Sequence, residues 1–219
     1  MEKLKGGLKD MWSVFSGCWM ELKWFYIGAI TIFFIFLGVF AAYCVPPSIV
    51  LSGMMTENSI MPIIGRIKTL EAQFKHKDFD GIVYLYVDSN GGDAGWSLNL
   101  AEIVANSPLH IVTIGMSKAM SGALLVVAAG DERWAYPHCL FLIHDIRYSK
   151  FAPEKFTLGD AERTVKNMKL QQNMIEKFIA KHSKLTLESI PLYTKYNEET
   201  FFNAAEAKKL GIIDHIGVK

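Results

Sequence analysis

The chain has 219 residues, of which 51% are hydrophobic and 21% charged, and its net charge is +1. With no basic stripe, that balance argues against a nucleic-acid partner, because phosphate binding needs clustered Lys and Arg. Cys18, Cys44 and Cys139 are too few and too scattered for a disulfide framework; without C-x-x-C, H-E-x-x-H or G-x-x-x-x-G-K-S/T, no metal, cofactor or built-in ATPase is expected.

Taken in chain order, residues 8–20 (LKDMWSVFSGCWM) read as a segment lying along a membrane surface or as a short packed helix. Residues 25–45 (FYIGAITIFFIFLGVFAAYCV) carry no charge. As a helix they would be roughly 31 Å long, enough to cross a hydrocarbon core of about 30 Å. Trp24, Phe25, Tyr26 and Tyr43 suit interfacial belts, and Pro46 and Pro47 stop the helix. Lys3, Lys5, Lys9 and Lys23 precede the run, and the next basic residue is Arg66. The expectation is therefore a single-pass anchor with its N-terminus in the cytoplasm and the large domain on the non-cytoplasmic side. A retained anchor is read over a cleaved signal peptide, for which Val39-Phe40-Ala41 would be the cleavage site. The organisation is then a cytoplasmic or juxtamembrane segment at 1–24, a transmembrane helix at 25–45 and one domain at 46–219, about 170 residues and large enough for a proper core.

Within that domain, SIVLSG (48–53) predicts a strand, and 57–74 has apolar residues near helical spacing, interrupted by Pro62 and Gly65. GIVYLYVDS (81–89) predicts a strand, AGWSLNLAEIVANS (94–107) a helix and HIVTIGM (110–116) another strand. SGALLVVAAG (121–130) is short and apolar, and RWAY and CLFLIH (139–144) read as strands. Residues 159–182 form a long amphipathic helix with Ala161, Val165, Met168, Ile175 and Phe178 on one side, and AAEAKKLG (204–211) a helix ending on Gly211. Alternating strands and helices predict α/β layers with a mainly parallel sheet.

Three stretches carry chemistry. In Asp88-Ser89-Asn90-Gly91-Gly92-Asp93, paired glycines between a strand and a helix let backbone N–H groups face a developing oxyanion. In Ala119-Met120-Ser121-Gly122-Ala123, Ser121 stands at a helix N-terminus, where the dipole favours negative charge, and Gly122 exposes its own N–H. In Phe141-Leu142-Ile143-His144-Asp145, His144 closes an apolar strand where a loop begins. Each has an ordinary explanation by itself: a plain turn, an N-cap serine, a structural histidine. Only together do they offer a nucleophile, a base and an oxyanion site. The histidines at 76, 110, 138, 182 and 215 have no such company.

In this order and over roughly residues 47 to 217, these stretches resemble the proteolytic subunit of Clp protease and its phage and membrane relatives. The C-terminal segment adds to the likeness: 201–214 (FFNAAEAKKLGIID) is similar to the family's S/T-A-x-E-A-x-x-x-G-L/I/F-x-D. The resemblance implies a repeated β-β-α spiral fold of the Clp/crotonase type and a serine peptidase with Ser121 as nucleophile, His144 as base, and an oxyanion hole at the backbone of Gly92 and Gly122. Counting forward from the family's Ser-x-Gly-Ala would put Met120 at the nucleophile; counting back from Ala129-Gly130 puts Ser121 there, and a thioether cannot attack a carbonyl. The family's aspartate is replaced by Glu199, with Glu198 as the near alternative and Asp145 a poor one. The signal peptide peptidase A family uses a Ser–Lys dyad, but Lys118 lies three residues before Ser121 and His144 is present.

The implied substrate is an unfolded or short polypeptide, paired as an extended strand beside the glycines. A homo-oligomer at the membrane is implied, with the 159–182 helix similar to the handle that mates two rings, and an ATPase partner is left open. The second expectation, motivated by Met120 and Glu199, is a catalytically inactive membrane scaffold with the same fold. An acyl-CoA enzyme of the crotonase type ranks last, since it accounts for neither Ser121 nor His144.

Overall fold

The computed structural model describes residues 30–33, 46–77, 79–147, 157–194 and 199–217. The chain divides between Val45 and Pro46 into two units.

The single-pass placement is overturned: among the described residues no helix is long and apolar enough to cross a membrane. In the run at 25–45 only residues 30–33 are described, and they are helical and exposed. Crossing demands roughly 30 Å of apolar helix, about 20 residues, which no helix among the described residues supplies. An uncharged run is necessary for a span but does not make one. The rest of that run and the segment at 8–20 lie outside the described residues.

The second unit contains β1 (Ser48–Met55), α1 (Glu57–Lys75), β2 (Ile82–Gly92), α2 (Ala94–Ala105), β3 (His110–Met120), α3 (Gly122–Ala128), β4 (Glu132–Ala135), β5 (Leu140–Ile143), α4 (Leu158–His182), α5 (Pro191–Thr194), β6 (Thr200–Asn203), α6 (Ala204–Lys209) and β7 (His215–Ile216). It is a mixed α/β fold with a mainly parallel sheet. In β2, Val83, Leu85 and Val87 are fully buried while Tyr84 and Tyr86 are half-buried on the other face, as the two-residue period of a strand requires. In α1, Ile60, Ile63, Ile67 and Leu70 fall on one buried stripe. A capping box between Thr56 and Ser59 starts that helix, and it runs through Pro62 without a break. All of α3 is buried, because it packs against β2, β3 and α2 and has no solvent face.

The sheet order is β1-β2-β3-β4-β7, all parallel. Strand β3 changes partner along its length. Val112–Gly115 pair with Glu132–Ala135 of β4, and Lys118–Met120 pair in parallel with Leu140–Leu142 of β5. Strand β6 then adds to β5 antiparallel. The parallel pairings bring the C-terminal ends of β1, β2, β3 and β5 to one side of the sheet, where ligands usually bind in such sheets.

Candidate active site

Met120 ends β3 opposite Leu142. Ser121 is the next residue, and His144 lies two beyond Leu142, so the strand pairing itself sets both side chains at the same sheet edge. Ser121 has φ 52° and ψ −123°. Only Ser121 and Lys77 have positive φ among the described non-glycine residues. Such a conformation costs about 1–3 kcal/mol and persists where the surroundings enforce it. Here Ser121 N donates to Leu142 O at 2.9 Å, and Leu124 N donates to Ser121 O at 3.0 Å. The residue occupies the N-cap of α3, yet its hydroxyl makes no capping bond. The ordinary N-cap explanation of this serine therefore does not describe it.

Ser121, Gly92, Gly122 and His144 all line one cavity of about 700 Å³, whose apolar wall includes Trp96, Leu124, Leu125, Ile175 and Ile179. Met120 and Lys118 are not in that lining. Gly122 N–H, at the first position of a helix, has no intrahelical carbonyl to donate to. A Cβ there would stand 2.1 Å from Ser97 Oγ, and one on Gly92 would stand 2.2 Å from Met55 O. Both positions admit only glycine. Cys139, the only cysteine among the described residues, is no rival nucleophile: burial, then the charge of Asp88, pushes its thiol up to about 12.

His144 is half-buried, and its Nδ1 is hydrogen-bonded to the Asp145 carbonyl. A carbonyl only accepts, so Nδ1 carries the proton and, in the neutral ring, Nε2 keeps its lone pair. No hydrogen bond joins His144 to Ser121 among the described residues. Without substrate, catalytic contacts of this kind are often long. Extending the β5–β6 register one step past Ile143↔Thr200 sets Glu199 opposite His144. The Glu199 carboxylate is nevertheless engaged elsewhere, with Oε1 2.7 Å from Arg147 Nη1. Glu198 lies outside the described residues. The Asp145 carboxylate accepts from Gln172 Nε2 at 3.3 Å.

Two residues at the site, Arg147 and Gln172, are not apparent from the sequence, and neither is the part that Gly91 of the paired glycines plays. Gly91 has φ +87°, and a Cβ on it would sit 2.8 Å from Ser121 Cβ and 2.7 Å from Met120 O. The Gly-Gly pair signalled the turn, not which glycine carries the serine. Arg147 lines the cavity and holds Glu199. Gln172, from the distant α4, also lines it, and no local pattern marks that residue.

A mixed α/β domain whose cavity gathers a strained serine, a histidine and two obligatory glycines has the layout of a hydrolase. The profile of the Clp protease family matches residues 40–219, and the chain belongs to that family. It is 27% identical over 156 residues, covering 70% of this chain and 75% of the relative, to an ATP-dependent Clp protease proteolytic subunit from Cyanophora paradoxa. Membership supports a peptidase-like function.

Proposed function

We propose that the chain is a serine peptidase acting on polypeptides through Ser121 as nucleophile, His144 as general base and Glu199 as the acid of the triad. The observation that carries the reading is Ser121 itself. A non-glycine residue held at positive φ, with an uncapped hydroxyl on the same cavity as a histidine whose Nε2 is available, is poorly explained by packing alone.

His144 Nε2 takes the Ser121 proton as Oγ attacks the scissile carbonyl carbon. The carbonyl electron pair moves onto oxygen, facing the N–H groups of Gly92 and Gly122. One such donor is worth about 3 kcal/mol of the barrier. Collapse breaks the C–N bond, His144 gives its proton to the leaving amine, and water then releases the acyl-enzyme. Glu199, opposite His144 in register, supports the imidazolium once it exchanges Arg147 for the ring. The working form is a homo-oligomer, in keeping with the family, and the exposed apolar residues of α4 suit a contact between copies.

A fluorophosphonate probe tests this. Prompt labelling of the purified chain is expected, disappearing in Ser121→Ala, with peptide turnover falling at least about 10³-fold. Glu199→Gln should lower kcat while leaving the labelled residue unchanged. The second reading, a non-catalytic assembly protein with this fold, draws on the absent Ser121–His144 hydrogen bond and the Glu199–Arg147 pair; no labelling of the assembled protein would establish it.

A further inference from the structure

The peptide group between Asp145 and Ile146 is held at both ends. Its carbonyl accepts from His144 Nδ1, and its N–H donates to Gln172 Oε1 at 2.9 Å. Gln172 is itself anchored on α4, since its Nε2 donates to Glu176 Oε1 at 2.9 Å and to Asp145 Oδ1 at 3.3 Å. These partners fix the orientation of the amide. Ile146 N–H can only donate, so the atom facing it is Oε1, and the two carboxylates call for the NH₂ group. Turning the amide over would set donor against donor and oxygen against two carboxylates. Because the peptide unit is planar, fixing the direction of its N–H fixes the direction of its C=O.

We infer that Gln172 is a positioning residue for the base: by holding the Asp145–Ile146 peptide it keeps the proton of neutral His144 on Nδ1 and the lone pair on Nε2, ready for the serine. The inference rests on the reading of His144 as general base given above. Free neutral histidine prefers its proton on Nε2, the form that cannot accept from Ser121. A carboxylate usually corrects that preference, and holding the wrong tautomer can cost a serine hydrolase about 10⁴ in kcat. Here Glu199 is on Arg147, so in this arrangement the backbone carbonyl performs the correction, and it points correctly only while Gln172 grips the same peptide. The link is long-range in sequence and joins α4 to the loop after β5.

The experiment uses the full chain with ¹⁵N-labelled histidine, with the His144 signals assigned by their loss in His144→Gln. In the parent protein the neutral ring of His144 should show a protonated Nδ1. Gln172→Met keeps the side-chain volume and removes both polar contacts. It should move His144 toward the Nε2–H form and lower kcat about 10- to 100-fold, the usual range for an outer partner of a functional group, with KM changed less than about twofold. The triple variant D145N/Q172E/E176Q keeps an acceptor facing Ile146 N–H and turns both carboxylate partners of that side chain into amide donors, and should restore the Nδ1–H form and most of kcat. An unchanged His144 tautomer in Gln172→Met overturns the inference whatever happens to activity. If the parent protein neither turns over peptide nor takes the probe, the peptidase reading fails, and the nitrogen spectra of parent and variant still decide whether Gln172 sets the ring.

Discussion

At the scale of single residues, the turn at Ser121 depends on what lies beneath it. Gly91 presses its α-carbon into the Met120–Ser121–Gly122 backbone, where an added Cβ would stand 2.7 Å from Met120 O, 2.8 Å from Ser121 Cβ and 2.9 Å from Gly122 N. Two of those neighbours are backbone and the third is a Cβ whose place the backbone fixes, so none can swing aside. Gly53 makes a useful comparison, because its φ of +76° is similar but nothing lies within 4 Å of its virtual Cβ. Gly53→Ala should therefore cost only the backbone term, about 1 kcal/mol, and leave probe labelling intact. Gly91→Ala adds a collision on the proposed nucleophile, so it should lose about 2–3 kcal/mol or more and label far more slowly even where still folded. Thermal melts and labelling rates of the two variants check this; equal labelling would show that Gly91 does not shape the turn. The serine, the histidine and the Gly-Gly turn were legible because each sits at a strand end with its own local pattern. Arg147 and Gln172 were not, since a guanidinium three residues past a histidine and an amide on a distant helix become site residues only when the chain folds back on itself.

At the scale of elements, period and punctuation carried most of the reading, and tertiary contacts decided the remainder. The strands at 48–53, 81–89 and 110–116 were legible from β-branched and aromatic runs, although the real strands continue to Met55, Gly92 and Met120. Their extensions contain Gly91 and Lys118, residues that do not look like strand and are drawn into it by neighbours on both sides. Strands β6 and β7 and helix α5 gave no signal of their own; β6 exists because β5 offers it an edge, and Phe202 stacks on Phe141 at 5.6 Å between centroids. The long helix α4 was legible by its apolar stripe, but burial follows only part of it. Phe178 and Ile179 are in the core, while Val165, Leu170 and Met174 remain about half exposed. Along Val165–Met174, α4 thus presents apolar surface that the other described residues do not cover. If copies associate through that face, Leu170→Glu should shift the particle toward smaller species in light scattering while the protomer's own folding free energy changes by no more than the small amount usual for a surface substitution, about 0.5 kcal/mol. An unchanged particle size would remove α4 from the assembly contact.

At the scale of the whole domain, one guanidinium ties the C-terminal part of the chain to the sheet, and its surroundings give the fold a sign in pH. Arg133 of β4 donates from Nε and Nη2 to Asp214 at 2.9 and 2.6 Å, and from Nη1 to the carbonyls of His182 and Gly211 at 2.6 and 2.9 Å. It thereby joins the sheet to the end of α4 and the turn before β7. Burial pushes the Asp214 carboxyl up, but the Arg133 hydrogen bonds and charge outweigh it and the net direction is down from 3.8. His182 is pushed down from 6.5, first by burial and then by Lys181 and Arg133; its ring stacks on Phe178 at 4.3 Å and its buried Nε2 has no hydrogen-bond partner among the described residues. Both shifts mean that the unfolded chain binds protons more readily than the folded one, so stability falls as pH falls. The His182 contribution is complete above its unfolded value of 6.5 and declines below that, ending where the folded ring itself protonates. The Asp214 contribution begins to fade only near 3.8. Replacing His182 by Phe keeps the stack on Phe178 and removes the group that titrates. Denaturant midpoints of the parent should therefore drop between about pH 7 and pH 5, and those of His182→Phe should drop less over the same interval, the two curves becoming parallel only in stronger acid, where Asp214 takes over. Curves parallel from neutral pH downward would mean that another of the chain's histidines sets the acid sensitivity.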